Sequence, residues 1–425
     1  MKNRTIQFAS MLGLLGCFVL QTTKSQAQTN PVEFNTITTA VPFLTITPDG
    51  RHGALGDAGV GTLADGSDTH WNPARLVRAQ EKSGFSLSYT PWLRELVSDI
   101  DMTYLSYYNK LSKKSAVGGS FRYFSLGYIQ FTDDQGNSTI QFRPNEFAFD
   151  GSFSTLLSRR WSGGVSLRFI YSNLSGGQNV AGAETKPGIA VAADVFGYYE
   201  SDEFSMFDQD ATLGFGAGIS NIGNKMAYSN LDEQDFLPTT FKIGPSINWQ
   251  LDDYNRVSFN FDVNKLLVPT PPIYDNDGNI IAGRDPDRSP ASALVTSWYD
   301  APGQPVEDEQ GNYTYNEDGT VQVEGGSVFR EEMREFFLGF GLEYMYSNVF
   351  AARMGYFTEH ASKGNRKHMT FGVGLKFNRF GMDMSYLVPM YIGNQTAPQN
   401  SPLQNTLRFT LTFDFKDVAA EEPTN

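Results

Sequence analysis

The sequence has 425 residues, a formal net charge of −14 and one cysteine, and these properties exclude several classes of protein. We exclude nucleic acid as a partner, because phosphate binding needs clustered lysine and arginine. A single thiol provides neither a disulfide nor a multi-cysteine metal site, so we expect no metal and no other cofactor.

Residues 1–27 have the composition of a signal peptide. Lys2 and Arg4 precede an apolar stretch, and a small-x-small cleavage site ends at Ala27. Cys17 leaves a lipoprotein signal as the alternative, but the apolar run continues beyond it, which favours cleavage after Ala27. The sequence therefore predicts an exported protein.

Residues 28–82 precede the first strand-like segment and form a predicted hatch. From Leu55 to Leu76 the sequence is LGDAGVGTLADGSDTHWNPARL, which is rich in glycine and alanine. Its glycines and its proline interrupt any regular strand or long helix. Small residues also allow the backbone to approach other parts of a protein closely. The residues to which we assign this role are Gly56, Asp57, Gly59, Trp71, Asn72, Pro73 and Ala74.

Residues 83–415 show the alternation of apolar and polar side chains that is typical of β-strands. In LRFTLTFDF, for example, Leu407, Phe409 and Leu411 alternate with mostly polar residues. The polar face consists mainly of Gly, Ser, Thr, Asn and Asp, as the lumen of an outer-membrane barrel requires; a soluble sandwich is the alternative. About fourteen segments follow this pattern, and they begin near Phe85, Met102, Ala116, Glu146, Trp161, Gly188, Thr212, Thr239, Val257, Arg334, Val349, His368, Gly381 and Thr406.

The predicted fold is all-β, a transmembrane outer-membrane β-barrel of about fourteen antiparallel strands. Its connections alternate between short and long, as expected when short turns face the periplasm and longer loops face outward. The connection from Glu200 to Asp210 is longer than this scheme predicts. The same scheme makes the insert 265–332 extracellular and residues 416–425 a periplasmic tail. Wall side chains alone do not fill a lumen of this size, so we expect the hatch inside it; a poorly ordered periplasmic tail is the alternative.

The insert 265–332 contains 13 acidic and 4 basic residues, a net charge of −9. Three turn-like fragments, DNDGN, DEQGN and NEDGT, recur in it. The first spaces its oxygen ligands as calcium loops do, but Ile280 stands where such a loop needs glycine, which favours hairpin turns. An acidic outer loop is a candidate contact for a basic partner surface, and a solvated loop is the equal alternative. The candidate contact residues are Tyr274, Asp275, Asp277, Trp298, Tyr299, Glu307, Asp308, Tyr313 and Tyr315.

The residue patterns do not indicate an enzyme. The sequence contains neither a His-Glu-x-x-His zinc motif nor a Gly-x-Ser-x-Gly nucleophile elbow. Inward-facing cations are candidates for holding a carboxylate ligand, but buried charges persist mainly in pairs, which favours pairing with inward carboxylates. The cations are Arg122, Arg168, Lys376 and Arg408, and the carboxylates are Asp262, Asp383 and Asp414.

The order of several long segments resembles a known family. A glycine- and alanine-rich lead with Asn-Pro-Ala ahead of a barrel is similar to the FadL superfamily of outer-membrane transporters. The segments VPFLTITPDGRHGALGDAGVGTLADGSDTHWNPARL, GFSLSYTPWLRELVSDIDMTYLSYYNKL and FRYFSLGYIQFTDDQGN resemble more closely the PorV family of the Bacteroidota type IX secretion system. The similarity is strongest from Val41 to Gly177 and weakest in the insert.

The resemblance implies a non-enzymatic, integral component of the outer membrane. Members of the PorV family associate with the translocon barrel, receive secreted cargo through its C-terminal signal domain and work with the surface attachment complex. The resemblance therefore implies these three partners, together with outer-membrane lipid. A FadL-like passive transporter of hydrophobic small molecules is the alternative, and a lipid-modifying enzyme is a more remote one.

Overall fold

The computed structural model describes residues 35–132, 135–180, 183–229, 234–275, 277–310, 312–317, 320–390 and 401–415. The predicted signal peptide, residues 28–34 of the predicted hatch and the predicted tail 416–425 lie outside these ranges. Among the described residues, no helix combines the length and the apolar character that crossing a membrane demands.

Fourteen antiparallel strands form a closed barrel, as the alternation pattern predicts. The strands are β1 Ser83–Pro91, β2 Ile100–Lys110, β3 Ser115–Leu126, β4 Asn145–Leu156, β5 Trp161–Asn173, β6 Gly188–Glu200, β7 Gln209–Gly223, β8 Thr240–Gln250, β9 Asn255–Leu266, β10 Phe336–Tyr346, β11 Phe350–Thr358, β12 Lys367–Phe377, β13 Phe380–Pro389 and β14 Thr406–Phe415. Each strand pairs with its neighbour in sequence, and β1 pairs with β14 from Ser83↔Phe415 to Tyr89↔Phe409. Because the first and last strands pair, the wall has no free edge.

Alternating exposure along the strands separates a lipid-facing surface from a polar interior. In β9, Ser258, Asn260 and Asp262 are buried, whereas Phe259 between them is 43% exposed. In β5, Val165 and Leu167 are exposed in the same way, and the serines beside them are buried. This arrangement of apolar residues outward and polar residues inward is that of an integral outer-membrane barrel.

Short turns lie at one end of the barrel and longer loops at the other. The short connections are 111–114, 157–160, 251–254, 347–349 and 378–379, and the longer ones are 92–99, 127–144, 174–187, 224–239, 267–335, 359–366 and 390–405. Short turns are periplasmic in such barrels.

The long periplasmic connection between β6 and β7 is an extended hairpin. A short strand, Phe204–Met206, pairs with the beginning of β7. Phe207 and Asp208 at its tip have φ values of +55° and +60°, as a two-residue hairpin turn requires. The unexpected length of this connection is therefore a continuation of the β7 ladder beyond the neighbouring turns.

Short helices lie inside the barrel and in its outer loops. The interior ones are α1 (Gly50–Gly53), α2 (Asp68–Trp71) and the 3-10 helices Pro42–Thr45 and Pro73–Arg78. The outer ones are α3 (Pro290–Thr296), α4 (Ser327–Arg334) and the 3-10 helix Ala361–Lys363. Small hairpins in the outer loops pair Ile129–Thr132 with Ser138–Phe142, Asn179–Val180 with Ala183–Glu184, and Ile273–Tyr274 with Ile280–Ala282.

Candidate functional site

The interior segment, residues 40–79, contacts the inner face of the wall around the ring. Helix α1 contacts β12, β13 and β14, whereas the 3-10 helix Pro73–Arg78 contacts β2 to β6. Residues 56–61 lie against the backbone or side chains of β7 to β11. A segment this short reaches all of these strands only from inside the ring.

The chain also runs along the length of the lumen before it enters β1. Near the loop end, the Asn35 side-chain amide donates to the Pro271 carbonyl at 3.2 Å and to Glu331 at 2.9 Å. Near the short-turn end, the Lys110 ammonium donates to the Ala79 carbonyl at 2.9 Å. Residues 35–79 therefore connect the outer end of the barrel with its periplasmic end.

Glycines allow the interior segment to approach the wall closely. Gly56 has a φ of +66°, and a Cβ there would lie 2.5 Å from the Phe340 carbonyl oxygen. On the wall side, a Cβ at Gly164 would lie 2.3 Å from the backbone nitrogen of Ala74. Backbone therefore meets backbone at both places, and only glycine provides the space.

Asp262 of β9 binds the interior segment through two backbone amides. Its Oδ2 accepts hydrogen bonds from the Gly59 amide at 2.7 Å and the Val60 amide at 2.9 Å. Asp262 is 1% exposed, so the two hydrogen bonds compensate for the burial of its carboxylate. This contact joins the glycine-rich turn to the wall.

Asp57 lies between His368 of β12 and Arg408 of β14. Its carboxylate is 3.5 Å from His368 Nε2 and 3.9 Å from the Arg408 guanidinium. Both of these residues belong to the wall, so Asp57 joins the glycine-rich turn of the interior segment to two strands of the barrel.

Trp71 belongs to a buried network with three other residues of the predicted hatch. Its indole N–H donates to Asp49 at 2.7 Å, and its ring centroid lies 4.8 Å from that of His52. The other Asp49 oxygen accepts from the His52 amide at 2.9 Å, and His52 Nε2 lies 3.0 Å from Thr62 Oγ1. Hydrogen bonds thus link the N-terminus of α1 with the end of α2 inside the barrel.

Asn72 begins the 3-10 helix and fastens it to the preceding turn. Its Oδ1 accepts from the Ala74 amide at 3.0 Å, and its Nδ2 donates to the Val60 carbonyl at 3.0 Å. Pro73 occupies the first helical position, where no backbone N–H is needed. The Asn-Pro-Ala triplet therefore acts as a helix cap inside the barrel.

The inward-facing cations have partners that the sequence did not identify. Arg168 pairs with Asp150 and Asp194. Arg122 donates to the Phe43 and Leu44 carbonyls at 3.1 and 3.0 Å and contacts His70 Nδ1 at 2.7 Å. Because a guanidinium has donors only, His70 Nδ1 is the acceptor in this contact.

Of the three carboxylates predicted to pair with the inward-facing cations, only Asp414 pairs with one of them. It pairs with Lys376 at 2.7 Å. Asp383 binds Arg353 instead, at 2.6 Å, and Asp262 binds the amides of the interior segment. The prediction was wrong at Asp262 because it considered the wall alone, whereas the interior segment supplies the donors. It was wrong at Asp383 because it left out Arg353, a cation of the wall.

An apolar cluster fills the outer part of the lumen. Phe43 stacks on Phe124 with ring centroids 6.1 Å apart. Val41 and Leu44 are buried in the same cluster, whose wall side includes Met102 and other apolar residues of β2 to β6. The chain's own residues therefore occupy the apolar part of the interior.

A polar cavity of about 470 Å³ lies toward the short-turn end. Arg51, Arg256 and Arg353 are among the residues that line it. Glu343 accepts from Arg51 at 3.2 Å and from Arg353 at 2.6 Å. The lumen thus changes from apolar near the loops to charged near the periplasm.

The predicted contact residues of the insert lie in three separate parts of it. Tyr274, Asp275 and Asp277 belong to the hairpin 273–282, Trp298 and Tyr299 follow α3, and Glu307, Asp308, Tyr313 and Tyr315 belong to a small β-meander. In the first part, the Asp275 side chain accepts from the Asp277 and Asn279 amides at 2.9 and 2.7 Å, which closes the turn. Among the described residues, no group of three or more acidic, histidine or cysteine side chains is arranged to hold a metal ion.

The insert is fastened to the barrel by buried ion pairs that the sequence did not reveal. Lys265, at the end of β9, is 3.0 Å from Glu332 of α4 and also pairs with Glu335. Lys363 of the neighbouring loop is 2.8 Å from Glu331 and 3.0 Å from Glu335. We call these five residues the insert root. No local sequence signal finds it, because its members come from three separate segments.

Comparisons with known proteins give one family and several barrels. The model of the family described as type IX secretion system protein PorV matches residues 28–273, more than half of the chain. The toluene transporter TodX of Pseudomonas putida has 10% identity and a TM-score of 0.45, with 90% of this chain and 99% of that chain covered. A FadL homologue of Pseudomonas aeruginosa has 12% identity and a TM-score of 0.38, with 90% and 100% covered. No curated protein sequence matches the chain.

Proposed function

The chain belongs to the PorV family of the type IX secretion system, and from this premise we propose that it associates with the translocon barrel in the outer membrane. In this role it receives secreted cargo through the C-terminal signal domain and passes it to the surface attachment complex. Membership of the family supports a role in type IX secretion. The contacts inside the barrel support the proposal that the protein acts by binding other proteins.

The observation that carries the proposal is the occupied lumen. The interior segment contacts the wall around the ring, with backbone against backbone at Gly56 and Gly164. A barrel filled in this way offers no path for a folded protein through its centre. It therefore serves secretion by presenting surfaces to other proteins, not by acting as the conduit.

The insert is the surface that we assign to partner contact. It carries a net charge of −9 at the loop end of the barrel. Tyr274, Tyr299 and Tyr315 are 49%, 46% and 57% exposed, which provides aromatic side chains among the acidic ones. The family match ends at residue 273, so most of the insert lies outside it. An acidic surface with exposed aromatic residues fits a basic partner surface.

Deletion of the protein tests the secretion role. We expect cargo to accumulate in the periplasm with its C-terminal signal domain still attached, as read by immunoblotting of fractionated cells. Normal cargo at the cell surface in the deletion strain would contradict this role.

A shortened insert tests the contact assignment separately. The Glu324 amide donates to the Gln304 carbonyl at 2.9 Å, so residues 305–323 can be removed and the two ends joined without disturbing the insert root. We expect recovery of the translocon barrel by co-purification in mild detergent to fall several-fold. The matched control, D252N/D253N, removes charge from a periplasmic turn and should leave recovery unchanged. Unchanged recovery with the shortened insert would overturn the assignment but leave the secretion role intact.

Passive transport of hydrophobic molecules is the second candidate, because the outer lumen is lined by apolar residues. That region is occupied by Val41, Phe43 and Leu44, which a transported molecule would have to displace. Transport predicts that Phe43→Ala increases uptake of a hydrophobic probe while secretion is unaffected. Impaired secretion with no change in uptake favours the first role.

A further inference from the structure

We propose that two adjacent periplasmic turns form a binding site for the phosphate-containing headgroup of an anionic phospholipid. The site consists of Lys113 and Lys114 between β2 and β3 and Arg159 and Arg160 between β4 and β5. We call these four residues the basic-turn patch. The proposal is independent of the secretion role.

The two turns have the same sequence pattern and the same hydrogen bonds. They are LSKK and LSRR, each a leucine, a serine and two cations. The Leu111 amide donates to the Ser115 carbonyl and the Leu157 amide to the Trp161 carbonyl, both at 2.9 Å. Two equivalent turns therefore present two equivalent pairs of cations.

The turns are held side by side. The Leu156 amide donates to the Lys114 carbonyl at 2.9 Å, because β3 and β4 are paired strands. The four cations thus belong to one continuous surface. The next periplasmic connection, the hairpin between β6 and β7, carries Asp202, Glu203 and Asp208 instead, so the run of basic turns ends there.

The charges of the patch are only partly neutralised by the protein. Asp202 accepts from both Arg159 and Arg160, including Arg160 Nε at 2.9 Å. Lys113 and Lys114 are exposed and have no side-chain partner within the part of the chain that the structure describes. Four cations with one bridging carboxylate leave a net positive site.

Apolar side chains place the patch at the headgroup level of the periplasmic leaflet. Leu111 and Leu157 are 58% and 69% exposed directly before the cations. Trp161 is 47% exposed on the same face as the lipid-facing residues of β5, and its ring centroid lies 5.0 Å from that of Tyr199. Aromatic residues mark the membrane interface in such barrels. Acyl chains would contact the leucines and the tryptophan, and the phosphate would lie among the cations.

Fluorescence quenching of Trp161 tests the site on the full chain. The protein is reconstituted into phosphatidylcholine vesicles that contain a small fraction of brominated phosphatidylglycerol or, in parallel, brominated phosphatidylcholine. The Trp161 signal is the difference between the wild type and W161F. We expect phosphatidylglycerol to quench this signal at about tenfold lower mole fraction, because several cations near one surface act together.

Two matched variants decide the outcome. K113Q/K114Q/R159Q/R160Q should remove the preference for phosphatidylglycerol, whereas R94Q/R284Q/R288Q/R330Q changes the charge equally at the loop end and should retain it. Both variants should keep the β-barrel circular dichroism spectrum. Equal quenching by the two lipids in the wild type, or a preference that survives in the patch variant, would overturn the proposal and leave an acidic protein surface as the ligand class to test.

Discussion

The interior segment and the insert are the two largest parts of the chain outside the β-sheet, and different kinds of contact hold them to the barrel. The interior segment has small residues, backbone-to-backbone contacts and buried hydrogen bonds. The insert has charged, exposed residues, and its buried ion pairs with the barrel lie at its root. The family match covers the first and ends as the second begins. The two regions therefore differ in how they are held: buried hydrogen bonds hold the interior segment along its length, whereas buried ion pairs hold the base of the insert, most of which lies outside the matched residues.

Gly164→Val should have the largest effect, because it disturbs the contact between the wall and the interior segment. A Cβ at this position already overlaps the Ala74 backbone, and overpacking against backbone costs about 3 kcal/mol or more. We expect earlier loss of heat-resistant migration on gels and protease cleavage within residues 40–79. Gly151→Val is the control, since a Cβ there meets nothing within 4 Å. Similar behaviour of the two variants would show that the segment does not press against the wall.

Lys265→Met should have the next largest effect, because it removes one of the two cations of the insert root. It leaves Glu332 and Glu335 without this cation, and loss of one partner of a buried pair costs about 3–5 kcal/mol. The cost falls on the insert root, so we expect protease cleavage within 267–335 while the barrel remains folded. Lys225→Met is the control, because its partner Asp287 is 92% exposed and such pairs contribute little. A barrel that unfolds together with the insert would contradict the separation of the two regions.

Variants of Asp262 test how firmly this residue holds the interior segment. Asp262→Ala removes the acceptor of two buried amides, an effect of about 1.5–3 kcal/mol for bonds to a charged group. We expect hydrogen exchange at Gly59 and Val60 to accelerate by about tenfold or more. Asp262→Asn keeps one acceptor oxygen and should give an intermediate rate. Equal exchange in all three proteins would mean that this contact does not hold the segment.

Acidity gives the smallest effect, and Asp300 is the residue of the insert on which it acts. Burial, with the charge of Glu332, raises the pKa of Asp300 from 3.8 to about 6. A raised carboxyl pKa stabilises the fold when protonated, so this contribution is complete below about pH 3.8 and is lost as the pH rises through about 6. We expect the insert to resist protease better at pH 5 than at pH 7.5, and Asp300→Asn to remove the difference. A wild type insensitive to pH would exclude this role.

The wall was predictable from sequence because its determinants are local. Alternation at Phe259 and its neighbours depends only on adjacent residues, and twelve of the thirteen connections between the strands follow the predicted alternation of short and long. The role of Asn72 as a helix cap is also local. The sequence signals therefore found the strands and the small-residue segment.

The contacts of the site were not predictable, because they join distant parts of the chain. Asp262 and Gly59 are 203 residues apart, and Lys265 and Glu332 are 67 apart. Parity assigns Asp262 to the interior but does not select its partner. The side chain of Lys265 also follows no alternation rule, since it lies where the strand ends. Spatial pairing of this kind is set by the closed ring and not by spacing along the sequence.

The position of Asn35 among the outer loops has a consequence for biogenesis. The polypeptide traverses the thickness of the membrane inside the cylinder and only then begins its first strand at the opposite side. A ring already sealed by the β1–β14 seam would leave no lateral entry for this thread. The leading residues must therefore enter the lumen either before the last strand pairs with the first or through the periplasmic mouth of the closed ring.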